Sequence, residues 1–71
     1  MNRQRVSSSN LSSVGYDEAS ETLEIEFDSG SVYQYSRVPA AVYSALMSAA
    51  SHGKFFNARI KNAGYRCVQV R

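Results

Sequence analysis

The segment Thr22–Asp28, TLEIEFD, constrains the fold more than any other part of the chain. Leu23, Ile25 and Phe27 alternate with Glu24 and Glu26. Strict alternation of apolar and acidic side chains belongs to a β-strand with one buried and one wet face. Such a strand needs partners, and both neighbours in sequence supply them. Upstream, Leu11–Tyr16 reads as a strand with Val14 and Tyr16 on a shared face, and Gly15 marks a bulge or a close backbone approach. Asp17–Glu21 is rich in turn formers. Downstream, Ser31–Ser36 reads as a third strand. Three strands so close in sequence pair most simply as an antiparallel meander.

The third strand carries Tyr33 and Tyr35, two residues apart and therefore on one face. Which face depends on the turn. If Ser29-Gly30 is a two-residue loop, Phe27 opposes Val32 and both tyrosines join Glu24 and Glu26. If Asp28-Ser29 forms a type I turn with Gly30 as a bulge, Phe27 opposes Ser31, and the tyrosines move to the face of Leu23 and Ile25. A slip of one residue decides the matter. The second arrangement places the glycine where positive φ is required, and is favoured for that reason.

Val38-Pro39 opens a helical half. Proline suits the first helical position, and Val38 can staple against Val42. Val42, Leu46 and Ala49 form a stripe flanked by Tyr43, Met47 and Ala50, and Gly53 can end the helix in a left-handed cap. Lys54–Lys61 reads as a second short helix with Phe56 and Ile60 one turn apart, broken by Asn62-Ala63-Gly64. The tail Tyr65–Arg71 alternates like a strand and could add to a sheet edge. Residues 1–9 offer only Val6 for burial beside Arg, Gln, Asn and serines, so a disordered polar arm is expected there. The expected architecture is α+β: a three-stranded antiparallel meander, two short α-helices and an optional C-terminal edge strand, all within a single domain over residues 10–71.

At 71 residues such a domain buries only about 60% of the surface its unfolded chain exposes. One cysteine excludes an internal disulfide, and a secreted domain this small would normally carry several. A cytoplasmic location is therefore expected. No apolar run approaches the roughly 20 residues of a membrane span, and MNRQRVSSSN does not read as a signal peptide. One His and one Cys cannot form a usual zinc site, and no cofactor is expected. The net charge of +2 is mild, but all six acids lie between Asp17 and Asp28, and every Lys and Arg lies outside that span. An acidic hairpin and a basic helical half are expected, the latter suited to a polyanion.

The motifs together resemble the KTSC domain family, named for the C-terminus of lysyl-tRNA synthetase. The residues carrying the resemblance are Ser9-Asn10-Leu11, Gly15-Tyr16, Leu23, Phe27, Gly30, Tyr33-Gln34-Tyr35, Val38-Pro39, Ala50-Ser51-His52-Gly53, Phe56-Asn57, Ile60 and Tyr65. They span about residues 9–65. The resemblance implies a fold region in which Tyr33, Tyr35, Pro39, Gly53 and Phe56 are structural, and RNA binding as the family's working suggestion. The Arg-bearing arm and the C-terminal RCVQVR depart from the pattern.

Little in the chain points to catalysis. His52 stands at an expected helix end, where an imidazole caps or is solvated, and Cys67 reads as a small buried hydrophobe. Glu24 and Glu26 read as the solubilising face of a strand, and no phosphate-binding glycine loop is present. The chain is therefore expected not to be an enzyme. Two classes of function remain. In the first, Arg37, Lys54, Arg59, Lys61 and Arg66 track the phosphates of RNA while a base stacks on Phe55, which cannot share the helix face of Phe56. In the second, the domain docks on a larger protein complex, such as RNA polymerase or a tRNA synthetase, through a strand edge or through Tyr43 and Met47. Weak self-association through an edge belongs to the same class.

Overall fold

The computed structural model describes residues 1–71. In chain order the elements are β1 (Arg3–Arg5), β2 (Leu11–Asp17), β3 (Thr22–Phe27), β4 (Val32–Tyr35), α1 (Ala40–Ser48), α2 (His52–Phe56), a π-helical turn (Asn57–Lys61) and β5 (Cys67–Gln69). The strands form one antiparallel sheet in the order β1-β2-β3-β4-β5. The fold is thus α+β, as expected, with a five-stranded sheet in place of a three-stranded meander.

Both additions come from the chain ends. The arm expected to be disordered over residues 1–9 instead contributes β1, with Arg3 opposite Gly15 and Arg5 opposite Ser13. Apolar content was a poor guide here, because this edge is held by backbone pairing and by the Arg3 guanidinium. At Gly15 an added Cβ would lie 2.8 Å from the Asn2 carbonyl and 2.9 Å from Arg3 Cγ, so the expected close backbone approach is the one β1 makes. At the other edge, the alternating tail pairs with β4 as β5, Cys67 opposite Tyr35 and Gln69 opposite Tyr33.

The turn after β3 follows the glycine-bulge arrangement. Gly30 has φ +95°, and the Phe27 N–H donates to the Ser31 carbonyl (2.9 Å). Ile25 consequently faces Tyr33, and Leu23 faces Tyr35. Tyr35 is 6% exposed, and Tyr33 is half-buried. In β2 the register shifts between Leu11 and Ser13. The bulge falls at Ser12, and it lets Leu11 and Val14 both reach the core.

The helices cover one face only. Leu46, Phe56 and Ile60 pack on Leu11, Val14, Leu23, Ile25, Tyr35 and Val38, all of them buried. Three edge-to-face ring pairs knit this core: Phe27–Tyr33, Phe27–Phe56 and Tyr35–Phe56, with centroids 5.4–5.7 Å apart. Pro39 stands at the N-cap of α1, one residue ahead of the expected position. Gly53 does not end α1. That helix stops at Ser48, and the His52 Nδ1–H donates to the Leu46 carbonyl (2.8 Å) to close its end. The second helix begins earlier than expected, because the Ser51 hydroxyl accepts from the Lys54 N–H (3.2 Å) and caps α2. Gly53 is buried inside α2 with Asn10 Oδ1 only 2.4 Å from where a Cβ would stand, so its requirement is space. No helix is long and apolar enough to cross a membrane.

Candidate nucleic-acid interface

The distribution of charge in space differs from its distribution in sequence. On the uncovered face of the sheet, Arg3 Nη1 lies 2.5 Å from Glu24 Oε2, and Arg3 Nε donates to Ser13 Oγ (2.9 Å). Ser13 Oγ donates to Glu26 Oε1 (2.8 Å), Gln34 Nε2 donates to Glu24 Oε1 (2.8 Å), and Arg71 Nη2 lies 3.0 Å from Glu26 Oε2. The solvated acidic face expected for Glu24 and Glu26 is therefore a connected polar cluster, and Glu24 is only 7% exposed. Burial alone would raise its pKa. Hydrogen bonds from Gln34 and Arg3, with the Arg3 charge, outweigh that and hold the carboxyl below its ordinary value. The arginines nearest the two chain ends are thus occupied by the central acids.

The cations of the helical half are differently placed. Lys54, Arg59 and Lys61 are exposed, lie within eight consecutive residues of α2 and the π-helical turn, and form no ion pair. Phe55 is half-buried against the core, and the Arg59 guanidinium lies over its ring at 5.9 Å. It is a cation–π partner of Arg59, not the bare stacking platform expected. Arg37 and Arg66 do not join this group. The Val38 N–H donates to the Glu21 carbonyl and the Ser36 N–H to the Arg66 carbonyl (both 2.9 Å). Both arginines therefore lie at the end of the sheet that carries the acidic Asp17–Glu21 turn.

Along β4, from the β3–β4 turn to Tyr35 and the start of β5, and against the π-helical turn, lies a groove of about 650 Å³. Phe27, Tyr33, Tyr35, Phe56 and Tyr65 supply its aromatic surface, and Asn10, Asn57 and Lys61 are among its polar lining residues. Cys67 also lines it. The expected burial of this cysteine is not observed, because β5 is an edge strand and Cys67 points from it toward the groove. Burial first, and then the neighbouring Cys67 side chain, push the Tyr35 phenol above its ordinary pKa, so its hydroxyl stays protonated. Tyr33 donates to Gln69 Oε1 (3.3 Å). Tyr43 stacks on Tyr16 (centroids 4.8 Å apart, rings within 7° of parallel), and Met47 packs against the core, so both lie at the core margin.

Reading for basic and aromatic residues reaches Lys54, Arg59 and Lys61 but misses the groove, whose walls come from segments far apart in sequence. One signal did point there. Ser9, Asn10, Tyr33, Tyr35, Phe56, Asn57 and Tyr65, all among the residues that carry the family resemblance, line it together.

The chain belongs to the KTSC domain family: the family model for the KTSC domain matches residues 7–65. An uncharacterized protein of Stutzerimonas stutzeri (strain A1501) is 46% identical over 70 residues, covering 99% of both chains. The crystal structure of a KTSC domain protein from Yersinia pestis has the same fold, with a TM-score of 0.94 at 41% identity, covering 99% of this chain and 97% of that one. A lysine–tRNA ligase of Nostoc punctiforme contains a similar segment, 52% identical over 46 residues, which is 65% of this chain and 8% of the ligase.

Proposed function

We propose that this domain is a non-enzymatic module that binds single-stranded RNA along α2 and the π-helical turn. The observation that carries this reading is the trio Lys54, Arg59 and Lys61, exposed and without acidic partners, in a molecule whose Arg3 and Arg71 are both held by carboxylates. Three cations without acidic partners on one short helical run suit the closely spaced phosphates of a single strand. The similarity to a segment of a lysine–tRNA ligase fits such a partner.

The test is a fluorescence-anisotropy titration of a short mixed-sequence RNA at about 50 and 200 mM salt. Three phosphate contacts imply a slope near −2 in log K against log salt, so roughly twentyfold weaker binding at the higher salt. Absence of binding at the lower salt would overturn the reading.

A second reading, docking on a protein partner, rests on β5. This edge strand leaves Val68 52% and Val70 49% exposed beside unpaired backbone groups, the arrangement that accepts an added strand. Binding of that kind would depend much less on salt.

A further inference from the structure

We infer that the groove beside Lys61 holds one unstacked base of the bound RNA, an inference that rests on the RNA reading above. Its volume of about 650 Å³ falls within the range of roughly 300–1,000 Å³ typical of small-ligand sites. Its aromatic lining is largely pre-set, because Phe27, Tyr35 and Phe56 are fixed edge to face in the core. Tyr33 and Tyr65 are half-buried, so each keeps ring surface open on the groove side. A base offers a π-face to stack and a polar edge to read, and the groove provides for both.

The polar provision comes from two amides. The Asn57 side chain makes no hydrogen bond within the chain; its backbone alone is engaged, the N–H donating to the Gly53 and Lys54 carbonyls and the carbonyl accepting from Asn62 Nδ2 (2.8 Å). Asn10 uses Oδ1 to accept from Ser8 Oγ (3.2 Å), and its amide N–H groups remain free. A carboxamide carries a donor and an acceptor side by side, matching the edges of nucleobases. Exposed bases of single strands are read in this way, by stacking together with hydrogen bonds to their edges. Lys61 lines the same groove and stands on the helical run that carries Lys54 and Arg59, so the phosphate of the inserted nucleotide meets a cation beside the groove. The one carboxylate in the lining, Asp28, is engaged by Ser12, whose Oγ donates to Oδ1 (2.8 Å). It stands on the β3–β4 turn, not on the helical run that carries Lys61.

The experiment titrates adenosine 5′-monophosphate, with ribose 5-phosphate as the base-free control, and follows the Asn10 and Asn57 side-chain amide signals by NMR. The expected result is saturable shifts at both amides with the nucleotide and none with the sugar phosphate. Asn57→Ala, at an exposed helical position where alanine is a better helix former, keeps the wild-type spectrum elsewhere and weakens the nucleotide about fivefold, the worth of one hydrogen bond. Absence of saturable shifts, or equal shifts from ribose 5-phosphate, overturns the inference. Where the RNA titration still shows steep salt dependence in that case, phosphate binding stands without base capture. A groove that takes the nucleotide in a protein that binds no single strand overturns the RNA reading, and with it the assignment of the base to a strand.

Discussion

The two faces of the sheet reach order by different physics. The covered face buries Leu23, Ile25 and Tyr35 under Leu46, Phe56 and Ile60, and its stabilisation is apolar area removed from water together with interlocked rings. The uncovered face has no second layer. There Arg3 and Arg71 reach in from β1 and from the residues beyond β5 to satisfy Glu24 and Glu26, with Ser13 and Gln34 completing the cluster. The first face holds the domain together, whereas the second ties down its ends. The difference bears on the proposed function too: Arg3 and Arg71 are paired with carboxylates, whereas Lys54, Arg59 and Lys61 are not.

The sharpest way to break this contrast is to empty the covered face. Phe56→Ala removes a side chain that is 2% exposed and touches the rings of Phe27 and Tyr35. It should cost about 3–5 kcal/mol, enough to leave a domain of this size largely unfolded in a urea titration followed by circular dichroism. On the uncovered face the effects should be smaller and local. Gly15→Ala drives a methyl group against the Asn2 carbonyl and should cost about 1–3 kcal/mol. Amide exchange should accelerate in β1 while α1 and α2 keep their protection. Arg3→Ala leaves Glu24 with Gln34 alone and should cost about 1–2 kcal/mol.

The mildest probe is acid. The pKa of Glu24 lies below its ordinary value of 4.5 in the folded state, so the stability its carboxylate contributes is complete above that value. It is lost as pH falls below 4.5 and through the lowered folded value. Glu24→Gln should make the melting temperature less sensitive to pH in that window, with little change in the shape of the curve near neutrality.

The covered face was legible in the sequence because alternation reports which side chains face inward, and because Gly30 selects one register for Tyr33 and Tyr35. The tail strand was legible by the same alternation. β1 was not, since its contribution is backbone pairing and one guanidinium, neither of which shows in apolar content. Gly53 was misread because a glycine required for space looks in sequence like a glycine required for positive φ. The groove is a property of the assembled fold. Asn10, Tyr33, Asn57 and Tyr65 meet only once β2, β4, the π-helical turn and the start of β5 are in place, and nothing in the local pattern around any one of them points to the others.

The decisive experiment on the helical run sets two groups of unpaired cations against each other. Lys54, Arg59 and Lys61 are replaced by Glu in one variant, and Arg5, Arg37 and Arg66, also exposed but outside the helical run, in another. Both are titrated against the same single-stranded RNA at about 50 mM salt by fluorescence anisotropy. The first variant should lose about twentyfold or more in affinity, and the second less than about threefold. Equal losses would mean that RNA is attracted by net charge alone, and would contradict a binding surface on α2 and the π-helical turn.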